Sequence, residues 1–350
     1  MFEELERNLE TTAPDFILAA SAECASPLVS IIVLTCNGEK HVHRCLRHVM
    51  CQTHQPLEVI VVDNGSTDGS LQKLKAAYPE LTYVENPKNR GFAAGMNQGI
   101  VASHGEFVIP LNQDVCLHED YVAECVRRIR DDPSIGAIGG RVFSWVGDEL
   151  TGQLRKGEGG HNIMRKRFQG DGGNVVTGEM WTFAPSGIFP FFRRKMLQDV
   201  FESTGYYYDE AFETGWEDTD LFFRMQLRGW KCLFLPAAFG WHVGSGSVGG
   251  KATFLSKKVD YQTRVLRNRH FTILKNLPAR MLLWLLPYLV VTELVIPPYF
   301  LIRSPKSLWA WIIAWARLLH AIPEVLRKRS KIQKNRRVGS LYLKKYFVRF

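Results

Sequence analysis

The sequence lacks the short motifs that mark several common classes of nucleotide- and metal-dependent protein. No GxGxxG follows the first predicted strand and no GxxxxGK[ST] occurs anywhere, so hydride transfer and P-loop chemistry are poorly supported. The seven cysteines form neither a CxxC pair nor a zinc-ligand spacing. We therefore expect reduced thiols that pack as small apolar side chains.

Acidic residues are scarce in the second part of the chain. Residues 221–350 carry 24 Lys and Arg against 3 Asp and Glu, whereas residues 1–220 carry 20 against 32. This asymmetry indicates that the second part faces an anionic partner. The start, MFEELERNLE, lacks the apolar run of a secretory signal, so we expect the N-terminal part in the cytoplasm.

Short β-branched runs alternate with helical segments between residues 28 and 131. The runs are LVSIIVLT, LEVIVVD, LTYVEN and EFVIPLNQD, and helices are expected near 92–103 and 118–131. This alternation is typical of parallel βαβ units with strands buried on both faces. We predict an α/β fold, with a mostly parallel sheet and flanking helices, over 27–275 after an extension over 1–26.

A Gly-rich, basic stretch over 144–180 interrupts this alternation. It is interpreted either as a loop over a site or as a surface insertion, and its length favours the first. Regular structure is expected again further on, with a helix from about Glu217 and a strand at KCLFLP.

Polar side chains follow three of the predicted strands. They are Thr35 to Asn37, then Asp63 with Asn64, and finally Asn112 to Asp114. Ligands of open α/β sheets bind beyond the carboxyl ends of the strands, so these residues are expected to line one edge. The carboxylate of Asp63 can accept hydrogen bonds from a base or ribose, although DNGSTDGS also suits an ordinary strand-to-helix turn.

The segment NPKNRGFAAGMNQG allows two interpretations. Arg90 and Gly91 stand at a predicted helix start, where free backbone amides and a guanidinium can accept a phosphate. The small residues that follow equally suit close packing of the helix, and the spacing alone does not decide between the two.

Carboxylates at two positions suit metal binding and acid–base chemistry. One strand-end aspartate, Asp114, is enough for Mg²⁺ or Mn²⁺ if diphosphate oxygens and water complete the shell, and His242 is a candidate second ligand. In WEDTD, Glu217 and Asp218 stand at a predicted helix start. A carboxylate there either interacts favourably with the helix dipole or serves as a general base.

The C-terminal region, 276–350, is apolar and then basic. The run MLLWLLPYLVVTELVIPPYFLI is long enough to span a bilayer, but Glu293 and three prolines lie inside it. Trp309, Trp311 and Trp315 suit the headgroup level, and from Arg327 onward ten basic residues stand without an acid. We favour monotopic or re-entrant membrane attachment over a full span.

The chain resembles the inverting, GT-A-fold glycosyltransferases of family 2, especially the rhamnosyltransferase-like branch. The resemblance covers about residues 28–275 and is carried by ordered motifs: VSIIVLTCNG, EVIVVDNGSTDGS, NRGFAAGMNQG, LNQD, GYYYDEAFETGWEDTDLFFRMQLRGW and WHVGSGS. It implies inverting transfer of a sugar, rhamnose in that branch, from a nucleoside diphosphate donor to an acceptor hydroxyl. The acceptor is expected to be a lipid-linked or cell-surface glycan at the cytoplasmic membrane face.

The resemblance also implies residue roles. Asp218 matches the catalytic base, with Glu217 as its support or as the group that orients the acceptor, while Asp114 and His242 match metal-ligand positions. The predicted nucleotide-sugar-binding residues are Thr35, Asn37, Asp63, Asn64, Arg90, Gly91, Asn97, Asn112 and Gln113. Asn112 replaces the first aspartate of the family's DxD motif, so the metal loses one charged ligand.

Two other classes of protein remain as alternatives. A non-catalytic membrane assembly partner would keep the nucleotide-sugar pocket without transferring sugar, and the Asn112 substitution motivates this hypothesis. A basic nucleic-acid binder would depend on the tail alone, and we expect no nucleic acid as partner.

Overall fold

The computed structural model describes residues 26–154, 162–163, 166–167, 178–184, 187–243 and 254–347. The predicted extension over 1–26, apart from its last residue, and about half of the Gly-rich stretch over 144–180 lie outside these described residues.

The strands of the described residues form one large sheet and a small separate pair. Their bounds are β1 Val29–Thr35, β2 Leu57–Asp63, β3 Thr82–Glu85, β4 Phe107–Asn112, β5 Val115–Leu117, β6 Ile135–Val146, β7 Glu149–Leu154, β8 Asn162–Ile163, β9 Lys166–Arg167, β10 Met180–Thr182, β11 Phe191–Arg193 and β12 Lys231–His242. In the large sheet the order is β10-β12-β6-β11-β4-β1-β2-β3, while β5 also pairs with β12 and β7 with β6.

The helices of the described residues flank the sheet and then continue beyond it. Their bounds are α1 Val42–Met50, α2 Ser70–Ala77, α3 Phe92–Ala102, α4 Tyr121–Arg130, α5 Arg194–Thr204, α6 Glu217–Leu227, α7 Val259–Asn276, α8 Ala279–Arg303, α9 Pro305–Lys334 and α10 Ser340–Lys344. Short 3₁₀ turns occupy Glu210–Phe212 and Phe254–Ser256.

The sheet is mixed and mostly parallel, which confirms the predicted α/β class. Strands β3, β2, β1 and β4 are parallel neighbours, and so are β6 and β12, whereas β11 runs antiparallel between β4 and β6. From β1 the chain passes to β2 on one side and later to β4 on the other. This reversal of direction opens a crevice at the carboxyl ends of β1, β2 and β4.

Apolar side chains of β1 explain why this strand is central. Val29, Ile31 and Val33 pack into the core on one face of the sheet, and Ile32 and Leu34 pack into the core on the other. Side chains alternate between the faces of a strand, so a continuous apolar run fills both layers.

The C-terminal helices pack on the α/β domain through polar contacts. Lys328 of α9 donates to the buried Asp209 carboxylate at 2.6 Å, and Tyr342 of α10 donates to Gln226 of α6 at 2.7 Å. Arg337 donates its backbone amide to the carbonyl of Leu227 at 2.7 Å. The predicted basic tail is therefore partly docked on the protein, although Lys331, Lys334 and several of its other basic residues remain exposed.

Helix α8 accommodates the prolines and the glutamate inside its apolar run. It is one continuous helix although Pro287, Pro297 and Pro298 lie inside it. Its acidic residue, Glu293, does not face an apolar medium: the carboxylate accepts from Arg269 at 2.9 Å and from His270 at 3.1 Å.

Two of the three predicted interfacial tryptophans also bind this carboxylate. The indoles of Trp311 and Trp315 donate to Glu293 Oε2 at 3.0 and 3.1 Å. The N–H groups of these two indoles are thus used inside the helical bundle, and their place at the headgroup level stays a prediction. Only Trp309 of the three is exposed.

Candidate active site

A groove of about 910 Å³ lies at the carboxyl ends of β1, β2 and β4. We call the strand tips with the start of α3 the first wall of the groove, and residues 213–218 with α7 the second wall. Among the predicted site residues, the groove is lined by Thr35, Asn64, Arg90, Gly91, Asn112, Gln113, Asp114, Glu217 and Asp218. The predicted metal ligand and the predicted base therefore face one shared hollow.

Gln113 organises the tip of β1. Its side-chain carbonyl accepts from the Thr35 hydroxyl at 2.7 Å and from the Cys36 amide at 2.9 Å. These hydrogen bonds join the ends of two neighbouring strands, so this part of the groove is fixed before any ligand binds.

Asp63 and Asn37 shape the turn beside the groove and do not line it. One oxygen of the Asp63 carboxylate accepts from the amides of Gly65 and Ser66 at 3.2 and 3.0 Å. Its other oxygen, Oδ1, is buried and has no hydrogen-bond partner among the described residues. Asn37 accepts from the Thr67 amide at 2.8 Å.

Asn64 holds the loop that carries Arg90. Its side chain donates to the Gly91 carbonyl at 3.0 Å and accepts from the Arg90 amide at 3.0 Å. The amide group is thus used within the protein, and the exposed Arg90 guanidinium is the part of this loop that remains available to an anion.

The start of α3 is already capped. The amides of Phe92 and Ala93 donate to the Glu213 carbonyl at 3.0 and 3.4 Å. A phosphate cannot take these two donors while the cap is in place, so the interpretation of free amides at this helix start is wrong. The alternative of close packing fits better, because a Cβ at Gly95 or Gly99 would overlap the side chains of Leu34 or Ile32.

Asp114 lines the groove and contacts His242, which is not itself among the lining residues. The imidazole Nε2 lies 3.3 Å from the Asp114 carboxylate, since β5 leads Asp114 back against the end of β12. Burial by itself raises the pKa of Asp114, but the hydrogen bond and charge of His242 outweigh it and lower the pKa below its usual value. Asp114 is therefore a carboxylate at neutral pH.

Glu217 and Asp218 begin helix α6 and differ in burial. Burial, with a smaller contribution from the neighbouring Asp218, raises the pKa of Glu217 to about 8. Its Oε2 is buried without a hydrogen-bond partner among the described residues. Asp218 is less buried and accepts from the Thr219 amide at 2.6 Å.

Gly187 lets Asp218 face the groove. A Cβ at this position would overlap the Asp218 carboxylate. The close approach of backbone and carboxylate requires glycine here, and the sequence alone gave no sign of it.

Asn97 lies outside the groove, contrary to its predicted binding role. Its amide donates to the Tyr208 carbonyl and accepts from the Tyr208 amide, both at 2.9 Å. These bonds tie α3 to the loop before α6, which is a structural task.

Glu213 and Arg264 line the groove and were not predicted. Arg264 donates to the Glu213 carboxylate at 3.0 Å from α7. Glu213 was missed because it stands in ETGWED, where Glu217 and Asp218 were the obvious candidates for a site. Arg264 was missed because it belongs to a basic helix with no recognisable motif spacing.

Two solved structures have the same fold as this chain. The mannosyltransferase PcManGT from Pyrobaculum calidifontis, in complex with GDP-Man and Mn²⁺, matches with a TM-score of 0.52 and 18% identity over 92% of this chain and 84% of that one. TarS 1–349 of S. aureus matches with a TM-score of 0.54 and 18% identity over 88% of each chain. Together with the sheet and its groove, these matches define the GT-A fold of glycosyltransferases.

Sequence comparison gives a family match and related proteins. Residues 30–201, just under half of the chain, match the model described as Glycosyl transferase family 2. Poly-beta-1,6-N-acetyl-D-glucosamine synthase of Staphylococcus aureus (strain COL) is 25% identical over 226 residues, which are 63% of this chain and 51% of the relative. Chondroitin synthase of Escherichia coli is 32% identical over 115 residues, which are 32% of this chain and 17% of the relative. This chain thus spans about half the length of the first relative.

Proposed function

We propose that this chain is an inverting glycosyltransferase that moves a sugar from a nucleoside diphosphate donor to a hydroxyl of a glycan acceptor. The observation that carries the proposal is the shared groove, which is lined both by Asp114, the partner of His242, and by Asp218. A diphosphate-binding end and a proton acceptor in one hollow suit transfer to a hydroxyl.

Asp218 acts as the base in this proposal. It takes the proton of the acceptor hydroxyl while that oxygen attacks the anomeric carbon and the bond to the diphosphate breaks. The pKa of Glu217 is raised to about 8, so this residue keeps its proton at pH 7, and Asp218 is the member of the pair proposed as the base. A single displacement of this kind inverts the anomeric carbon and needs no covalent intermediate.

A divalent cation fits the residues around Asp114. The Asp114 carboxylate is a hard oxygen ligand, His242 supplies a nitrogen beside it, and Asn112 adds an amide oxygen nearby, so Mg²⁺ or Mn²⁺ would complete its shell with diphosphate oxygens and water. When bound, the ion stabilises the charge that develops on the leaving diphosphate. Asp114 and His242 are held ready for it by their mutual contact.

The donor sugar and the acceptor are finer parts of the proposal. Rhamnose follows from the resemblance to the rhamnosyltransferase-like branch, which the family match and the named relatives do not distinguish. A lipid-linked or cell-surface glycan is the proposed acceptor, because the C-terminal helices offer a surface for the membrane beside the catalytic domain.

Helix α8 supports attachment to a membrane surface. By length and composition it is the single described helix long and apolar enough to cross a membrane. Its outward side chains are largely exposed, among them Leu283, Val291, Leu294, Val295, Leu301 and Ile302. Large exposed apolar patches mark interaction sites.

The other side of α8 is occupied by the protein, which supports attachment in the plane of the cytoplasmic face and not a span. Glu293 bonds to α7 and α9, so one face of the helix is fixed against polar partners while the opposite face is free to enter lipid. Exposed basic residues of the C-terminal region supply attraction to anionic headgroups.

Donor binding and transfer test the proposal separately. In a thermal-shift panel of nucleotide sugars with and without Mn²⁺, a specific donor should raise the melting temperature by mass action. Asp218→Asn should keep that shift and lose transfer, while the exposed control Asp131→Asn should keep both.

Two results would change the conclusion. Preserved turnover in Asp218→Asn would remove this residue from the role of base. Donor binding by the native chain without transfer to any acceptor pool would favour the alternative of a non-catalytic assembly partner, which the Asn112 substitution motivates.

A further inference from the structure

The loop before α6 contains a strained turn at Glu213. This residue has φ +61° and ψ −67°, and the Thr214 amide donates to the Phe212 carbonyl across it at 2.7 Å. The dihedrals and the bond define a γ-turn with positive φ, which is rare and strained for a residue with a side chain. Such strain persists only where surrounding contacts enforce it, and it clusters at functional sites.

Helix α7 supplies contacts that enforce the turn. Asn268 is fully buried, and its amide donates to the carbonyls of Phe212 and Gly215 at 2.8 Å each and of Thr214 at 3.2 Å. Arg264 donates to the Glu213 carboxylate at 3.0 Å, and Arg267 lies 3.6 Å from its other oxygen.

The strained turn also joins the two walls of the groove. The Glu213 carbonyl caps α3 by accepting from Phe92 and Ala93, and a Cβ on Gly91 would lie only 3.1 Å from that carbonyl oxygen. Four residues further along the chain, Glu217 and Asp218 open α6. The Glu213 carbonyl thus contacts the first wall directly, and only a short loop separates Glu213 from the proposed base, Asp218.

We propose that Glu213 is a positioning residue. Its strained γ-turn sets the distance between residues 90–93 of the first wall and the base, Asp218. Arg264 and Asn268 of α7 hold it in that conformation. This inference rests on the proposed transfer reaction, in which the anomeric carbon bound to one wall must meet the hydroxyl activated from the other. Misplacement by about 1 Å is enough to slow such a step about 100-fold.

Glu213→Gly in the full chain tests the inference. Glycine adopts positive φ without steric cost, so the turn is no longer strained, while the contacts of the carboxylate with α7 are lost. We expect kcat to fall about 10- to 100-fold, donor KM to change less than about threefold and the melting temperature to stay unchanged or rise. Glu210→Gly, an exposed residue three positions earlier, is the matched control and should keep kcat.

Different outcomes separate this inference from the proposed function. If native protein and Glu213→Gly transfer sugar equally well, the inference fails and the proposed function stands. If activity and melting temperature fall in parallel, Glu213 has only a structural role. If the native protein transfers nothing, the proposed function fails, and amide exchange then decides the coupling.

Amide exchange requires no activity. In Asn268→Ala, the coupling predicts faster exchange at residues 92–93 and at 217–220 together, because one released turn frees both walls. Faster exchange confined to 212–215 would overturn the inference.

Discussion

Two glutamates, one buried in the groove and one half-buried among the C-terminal helices, end with pKa values shifted in opposite directions. Burial raises the pKa of Glu217 to about 8, with Asp218 adding to the effect and one carboxylate oxygen left without a partner among the described residues. Burial acts the same way on Glu293, but hydrogen bonds and charge from His270, Arg269 and Trp311 outweigh it and lower the pKa to about 2.

The contrast shows that partners, and not burial alone, decide what a buried carboxylate does. Glu293 is fully engaged and stabilises the packing of α7, α8 and α9. Glu217 is under-satisfied beside a second acid in a groove, which is the arrangement expected at an active site.

The largest expected effect is on folding and comes from removing the satisfied glutamate. Glu293→Ala leaves Arg269, His270 and two indoles without their common acceptor, and we expect a loss of about 3–5 kcal/mol in the free energy of unfolding. Urea denaturation measures it. Glu324→Ala, which removes an exposed glutamate paired with Arg327, should cost under about 1 kcal/mol. Equal losses in the two variants would erase the contrast.

The next effect concerns the pH dependence of stability. The folded-state pKa of Glu217 lies above the ordinary value of 4.5, so folding takes up a proton, and the stability gained from it is fully present below pH 4.5 and lost as pH rises through 8. The loss is roughly 3 kcal/mol between pH 5 and pH 8. Glu217→Gln should remove this decline in melting temperature, while the exposed control Glu149→Gln should keep it. An unchanged decline in Glu217→Gln would mean that this residue is charged at neutral pH.

A smaller effect is expected on membrane binding. Leu294→Glu places a charge on the exposed face of α8, and we expect affinity for vesicles with anionic lipids to fall about tenfold. Flotation with liposomes measures it. Val101→Glu, at an exposed position on α3, is the control and should bind as the native chain does. If both variants float equally with the native protein, α8 is not the attachment surface.

The smallest effect is expected on metal affinity at Asp114. Asn112→Asp restores a carboxylate beside Asp114, and a further charged ligand should tighten Mn²⁺ binding by about 3- to 10-fold. Calorimetric titration with Mn²⁺ alone detects this without any turnover. Weaker binding would show that the amide is the better partner for Asp114.

The α/β part of the fold was predictable because its signals are local. The runs at β1, β2 and β4 are mostly apolar, with Ser30 in β1 and Glu58 in β2 as interruptions, and they end in polar residues. Strand identity and the ligand-binding edge can therefore both be inferred from the sequence. The helix expected over 92–103 is α3, and the helix expected from Glu217 is α6.

What escaped prediction depends on contacts between distant residues. The capping of α3 by Glu213 joins positions about 120 residues apart, and the pairing of Glu293 with Trp311 requires two helices to turn back on each other. Neither contact leaves a periodic trace in the sequence. The role of Gly187 is equally hidden, because it follows from the place where the Asp218 carboxylate ends.

The contact between Lys328 and Asp209 bears on how shorter recombinant fragments are cut. A fragment ending at residue 275 would retain the entire groove but strip the Asp209 carboxylate of one of its two lysine counter-ions and expose the surface of α6 that Tyr342 covers. Crystallisation trials are better served by fragments that end beyond Tyr346, with solubility improved by polar replacements on the outer side of α8.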